Sequence, residues 1–157
     1  SNLHKISQRQ KIFECQLDGT DTSAIEQLNA ILTHNTGINL EDLTLVINHS
    51  AFPNPNSTCY AIWNENIKSL AVHKNLYIKA SGWEMVDRNY QRAHIQQVVD
   101  DLLGYFNEDK LMLASNFPLC LLSSQYQALW QTYLDLPLPA LLKEKLTYHN
   151  AKRLYSL

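Results

Sequence analysis

Two rhythms of hydrophobic spacing alternate along this chain of 157 residues. One is a compact apolar run stopped by turn formers, as in a buried strand; the other repeats every three to four positions, as on one face of a helix. A polar lead-in over residues 3–10 reads as the end of a helix. It is followed by Ile12-Phe13-Glu14-Cys15-Gln16-Leu17, a first strand broken by Asp18-Gly19. Ser23 with Glu26 forms a capping-box pattern, and Ile25, Leu28, Ile31 and Leu32 keep helical spacing until Gly37. A second, β-branched run from Leu43 to His49 closes in the loop Ser50-Ala51-Phe52-Pro53-Asn54-Pro55. Between Tyr60 and His73, Trp63, Ile67, Leu70 and Ala71 share a helical face. The third strand, Asn75 to Ala80, ends at Ser81-Gly82.

Ile95, Val98, Val99, Leu102, Leu103 and Phe106 make the clearest amphipathic helix of the chain, predicted over residues 91–106. The fourth strand opens Lys110-Leu111-Met112-Leu113 and stops at Ser115-Asn116, because Pro118 bars further central pairing. Tyr126, Leu129, Trp130, Tyr133 and Leu134 define another helical face. A last helix runs from about Ala140 to the end.

Strand and helix thus alternate four times, and strands apolar on both faces belong to a parallel sheet covered by helices. The expected fold is α/β, four parallel strands each followed by helix, in one unit over residues 1–157 without a linker. A closed barrel of this kind takes eight strands and typically ~250 residues, so the pattern describes about half of a (β/α)8 TIM barrel. Its two open edges call for a cover: a missing amino-terminal half, a second copy of the chain, or a rearranged sheet.

Charge narrows the partners. Thirteen Lys and Arg against fifteen Asp and Glu, with no run of like charges, argue against nucleic acid or an anionic membrane and leave a small-molecule substrate. Cys15, Cys59 and Cys120 are widely spaced and form no zinc-finger pattern, which fits a reducing compartment. The polar amino end and the lack of a long apolar run point to a cytoplasmic protein. The chain begins Ser1-Asn2 without a methionine, as a piece of a longer product would.

Several short stretches, in order, resemble the amidohydrolase-related family of metal-dependent hydrolases and sugar or pyrone dicarboxylate lactonases. Phe13 to Leu17 resembles its fifth barrel strand, and Val46-Ile47-Asn48-His49-Ser50-Ala51-Phe52-Pro53 its sixth, commonly Val-Leu-Asp-His-Leu-Gly-Lys-Pro. Trp63 with Leu70-Ala71, then Tyr77-Ile78-Lys79-Ala80-Ser81-Gly82, is similar to the approach to and the course of the seventh strand. Lys110 to Leu119 is similar to the last, roughly Arg-Leu-Met-Phe-Gly-Ser-Asp-Trp-Pro, and Asn150 to Leu157 to the closing Asn-Ala-x-Arg-Leu-Tyr-Gly-Leu. The resemblance implies the carboxyl-terminal half of a (β/α)8 TIM barrel hydrolase with its site at the carboxyl ends of the strands, and either a divalent metal such as zinc or none. The family's His-x-His pair does not occur here, and its last-strand aspartate is Asn116.

Among the candidate residues His49 stands first. An imidazole at a strand end can ligate a metal, bond a substrate carbonyl, or simply satisfy loop backbone. Asn116 in place of aspartate cannot accept a proton from attacking water and is a poor zinc ligand. That leaves a protein that binds without turnover, an enzyme whose base lies elsewhere, an altered residue, or an asparagine that only holds its loop. Lys79 reaches a substrate or pairs with Glu14 or Glu84, and Gln16 and Ser81 are candidate hydrogen-bond donors to substrate. Trp83, Tyr77 and Phe117 line a pocket or pack. Cys120 reads as a buried thiol, and Ser123-Ser124 as a helix cap rather than nucleophiles.

Overall fold

The computed structural model of the protein describes residues 2–33 and 43–157. Its sheet contains β1 (Ile12–Cys15), β2 (Thr44–Ile47), β3 (Leu76–Ala80) and β4 (Leu111–Leu113), hydrogen-bonded in that order. Every pair is parallel, and the register sets Cys15, Ile47, Ile78 and Leu111 in one row. Parallel neighbours need crossovers. Among the crossover helices are α2 (Thr22–Thr33) after β1 and α3 (Tyr60–Leu70) after β2. After β3 come the single turn α4 (Trp83–Val86) and the long α5 (Arg92–Tyr105). A short α1 (Asn2–Gln8) precedes the sheet.

Strand side chains alternate between faces, and the two faces differ. Leu45, Ile47, Leu76, Ile78, Ala80, Leu111 and Leu113 join Ile25, Trp63, Ile67, Ile95, Val98 and Leu102 in one buried cluster between sheet and helices. Each such fully buried aliphatic side chain contributes about 1.5–3 kcal/mol relative to exposure. The opposite face carries Glu14, Val46, Tyr77, Lys79 and Met112. In a closed barrel that face is the interior.

Beyond β4, α6 (Tyr126–Leu134) leads to α7 (Ala140–Glu144), a π-helical turn at Lys145–His149 and α8 (Asn150–Tyr155). Asn150 is buried, and its Nδ2 donates to the carbonyls of Glu108 and Leu111, each at 2.7 Å, fixing the closing helix to the start of β4. From there Tyr155 reaches across the inner face to Glu14, its hydroxyl 2.6 Å from Oε1.

Two expectations change, and a third lies beyond what the structure describes. Asp21, not Ser23, caps α2: the Ala24 amide donates to Asp21 Oδ1 at 3.0 Å, while the Ser23 hydroxyl accepts from Gln27. An aspartate one residue before the helix offers its oxygen to the N3 amide, the bond a cap requires. The expected stop of α2 at Gly37 lies outside the described residues. Ser123-Ser124 do not cap α6, which starts after Gln125 without a side-chain cap.

Candidate active site at the strand ends

Each strand delivers a polar residue to the same end of the sheet, the carboxyl end, where α/β proteins build their sites. After β2 the chain turns sharply: His49, Ser50, Ala51 and Phe52 all hold positive φ, between 50° and 58°. That conformation is costly for L-residues, so surrounding contacts must hold it. Trp63 Nε1 donates to the Ser50 carbonyl at 2.8 Å, the Gly19 amide to the Ala51 carbonyl at 2.8 Å, and Ser50 Oγ to the Lys79 carbonyl at 3.2 Å. Trp63 is fully buried, so the turn that aims His49 is built from the core outward.

The loop after β3 then grips both neighbouring strands. Ser81 Oγ lies 3.0 Å from His49 Nδ1, and three residues on, in α4, Glu84 Oε1 accepts from Asn116 Nδ2 at 2.5 Å. The same amide lies 3.3 Å from Met85 Sδ. Gly82, between the two grips, has φ 71°, and a Cβ there would fall 2.7 Å from the His49 ring. Trp83 ties the loop down further: its Nε1 donates to Tyr133 Oη at 2.6 Å, and Tyr133 donates to the Ala114 carbonyl beyond β4 at 3.0 Å.

Burial pushes the His49 imidazole below its ordinary pKa, and Lys79 pushes the same way; Glu84 and Glu14 oppose the shift without cancelling it. The ring is therefore neutral at neutral pH, with one donor and one acceptor nitrogen. Nδ1 is engaged by Ser81, and Nε2 has no hydrogen-bond partner among the described residues. His49, Ser81 and Asn116 thus join one rim, with Glu84 as the bridge.

The other expected residues go elsewhere. Lys79 lies on the inner face and pairs with Glu14 at 2.7 Å rather than with Glu84, its ammonium 5.1 Å from the Tyr155 ring. Burial alone would raise the Glu14 carboxyl, but bonds from Lys79, Tyr155 and Asn48 outweigh it and hold the pKa down. That cluster is a satisfied structural pair. Gln16 is exposed past the end of β1, with no partner in the rim among the described residues. Cys120 is fully buried and burial raises its thiol pKa, as expected of an inert cysteine. Phe117 is 62% exposed, whereas Trp83 packs.

The residue that sequence reasoning missed is Glu84, considered only as a partner for Lys79. The signal was there: a carboxylate three positions beyond Ser81, just after the end of a strand. Among the described residues, no group of three or more His, Cys, Asp or Glu side chains comes together to hold a metal ion. His49 with an amide and one carboxylate falls short of the three His, Cys or carboxylate ligands that a catalytic zinc site takes, so these residues alone do not fit a metal.

Four parallel strands with polar side chains gathered at their carboxyl rim define an α/β protein of barrel type. The profile of the Amidohydrolase family matches residues 20–157, and the chain belongs to that family. It is 28% identical over 127 residues to the L-fucono-1,5-lactonase of Burkholderia multivorans, covering 72% of this chain and 43% of that protein. An amidohydrolase from Burkholderia multivorans, solved with bound zinc, superposes with a TM-score of 0.83 at 22% identity, over 99% of this chain and 56% of that one. Amidohydrolase 2 from Bifidobacterium longum subsp. infantis gives 0.73 at 21%, over 99% of this chain and 53% of that one. The chain spans 39% and 43% of the curated relatives it matches. The solved relatives share the barrel fold, of which this chain is about half.

Proposed function

We propose that this half-barrel carries the substrate-facing rim of a hydrolase acting on a small lactone, ester or amide. Family membership supports hydrolysis, and the lactonase relative supports a cyclic ester as substrate. The observation that carries the reading is the double grip of the β3 loop, which brings His49 of β2 and Asn116 of β4 to one edge and leaves His49 Nε2 available. On this reading Nε2 positions the substrate carbonyl, Ser81 sets the ring, and Lys79 and Gln16 act outside the reacting centre.

The partner that completes the cylinder is, on this reading, an amino-terminal half or a second copy of the chain. Two features support a covering partner: β1 and β4 each pair on one side only among the described residues, and Leu119, Leu121 and Leu122 beside the rim are 43–55% exposed. Asn116 favours a second reading, a ligand-binding protein without turnover, because its amide cannot serve as a base.

The test is hydrolysis of a panel of sugar lactones by the protein expressed from its natural reading frame, beside His49→Gln. Turnover by the parent, with a rise in KM or loss of kcat in the variant, supports the first reading. Binding of a lactone without turnover supports the second. Neither binding nor turnover overturns both.

A further inference from the structure

We propose that Glu84 is the proton acceptor of this rim, the carboxylate role that the amide at position 116 cannot fill; this rests on the hydrolase reading above. Two observations converge on it. First, Glu84 is only 4% exposed, and while its Oε1 accepts from Asn116, its Oε2 is buried without a hydrogen-bond partner among the described residues. Buried acceptors are nearly always satisfied, because leaving one unmade costs about 1–3 kcal/mol, more for a charged group.

The contrast with Glu14 is direct. Glu14 commits Oε1 to Lys79 and Tyr155 and Oε2 to Asn48, as a carboxylate kept for structure does. Glu84 keeps one oxygen uncommitted. Second, its position is right: it sits one short loop from Ser81, its bonded partner stands where the last-strand residue meets the rim, and its charge acts on the His49 imidazole.

In this arrangement Asn116 is the complement of Glu84. Its amide donates to Oε1 and orients the carboxylate, which an aspartate at 116 would repel. Oε2 accepts a proton from a water molecule as the water oxygen bonds to the substrate carbonyl carbon. The acyl–oxygen bond then breaks, the departing alkoxide takes the proton from Glu84, and the carboxylate returns to its ionised state with one water consumed. Glu84 touches the reacting water and is a catalytic residue; Asn116 acts through Glu84 and is a positioning residue.

The experiment uses the protein from its natural reading frame, with a hydrolysed lactone, and compares Glu84→Gln and Glu84→Ala with added formate. General-base removal costs about 10²–10⁴-fold, so Glu84→Gln is expected to lose at least ~100-fold in kcat with KM within about threefold. Formate is expected to restore kcat at least ~10-fold in Glu84→Ala while leaving parent and Glu84→Gln unchanged. A purely structural carboxylate gives no formate rescue. Should Glu84→Ala fail to fold, Glu84→Gln decides by its kcat and KM. A folded Glu84→Gln with kcat within about threefold of the parent, or a folded Glu84→Ala that formate does not rescue, overturns the base role alone. A parent that hydrolyses no lactone overturns the hydrolase reading and this role with it.

Discussion

Gly82→Ala strikes the narrowest point of the rim, the link between Ser81 and Glu84. With φ at 71°, the position lies in the left-handed region, where an L-residue costs about 1–2 kcal/mol more than glycine. The new methyl would also sit 2.7 Å from Cγ and Nδ1 of His49, close enough that the ring must move. Forced packing of this sort costs typically 1–3 kcal/mol. Together the substitution is expected to destabilise the fold by roughly 2–5 kcal/mol, a fall in Tm of roughly 4–20 °C for a domain of this size. Displacing His49 also breaks its bond to Ser81, and misplacement by about 1 Å can cost ~100-fold in rate. Gly104→Ala is the control, since no atom lies within 4 Å of its added Cβ inside α5. It is expected to gain about 0.5–1 kcal/mol through helix propensity. Thermal unfolding of both variants, with the imidazole resonances of His49 followed by NMR, reads the two effects separately. A Gly82→Ala protein that melts with the parent and keeps an unshifted His49 signal would refute the close fit of loop to ring.

Trp63→Phe removes the donor to the Ser50 carbonyl and leaves that buried acceptor unpaired, which is expected to cost about 1–3 kcal/mol in denaturant unfolding; unchanged stability would show that the indole bond does not hold the His49 turn. The folded pKa of Glu14 lies below its ordinary 4.5, so its stabilising contribution is present above that value and lost as pH falls through the lower folded one. The stability difference between parent and Glu14→Gln is therefore expected to be constant near neutral pH and to shrink in acid, and a difference that grows in acid would reverse the assigned sign.

The fold was largely legible because strand and helix carry different periods. Leu45, Ile47, Ile78 and Leu111 fall in apolar runs closed by turn formers, while Ile95, Val98, Val99 and Leu102 repeat at helical spacing, and both patterns survive in the sheet and in α5. His49 was legible for the same reason, as the first polar ring after a β-branched run. Its left-handed backbone was not: no residue among His49, Ser50, Ala51 and Phe52 favours positive φ, and the contacts that impose it come from Gly19, Trp63 and Lys79, all distant in sequence. Strand alternation decides between the two partners offered for Lys79, since Glu14 and Lys79 share the inner face while Glu84 lies past the turn at Gly82. Tyr155 could not be placed on Glu14 from spacing, because α8 reaches it only after crossing from β4. Glu84 escaped for a related reason. An acidic residue in a single helical turn has no periodic signature, and its importance comes from Asn116, which meets it only once β3 and β4 are paired.

The loop after β3 couples the ends of β2 and β4 into one charged rim, and a double-mutant cycle on Glu84→Gln and Asn116→Asp measures that coupling directly. Two carboxylates about 4 Å apart repel by about 4 kcal/mol at an effective dielectric of about 20, and uptake of a proton relieves part of this. Asn116→Asp alone is therefore expected to cost about 2–4 kcal/mol in thermal unfolding at neutral pH. In the Glu84→Gln background, where the substituted side chain offers an amide donor to the new carboxylate, the same change is expected to cost less than about 1 kcal/mol. A coupling of roughly 1–4 kcal/mol is the predicted result; a coupling under about 0.5 kcal/mol would show that Glu84 and Asn116 do not meet, and the rim described here would not exist.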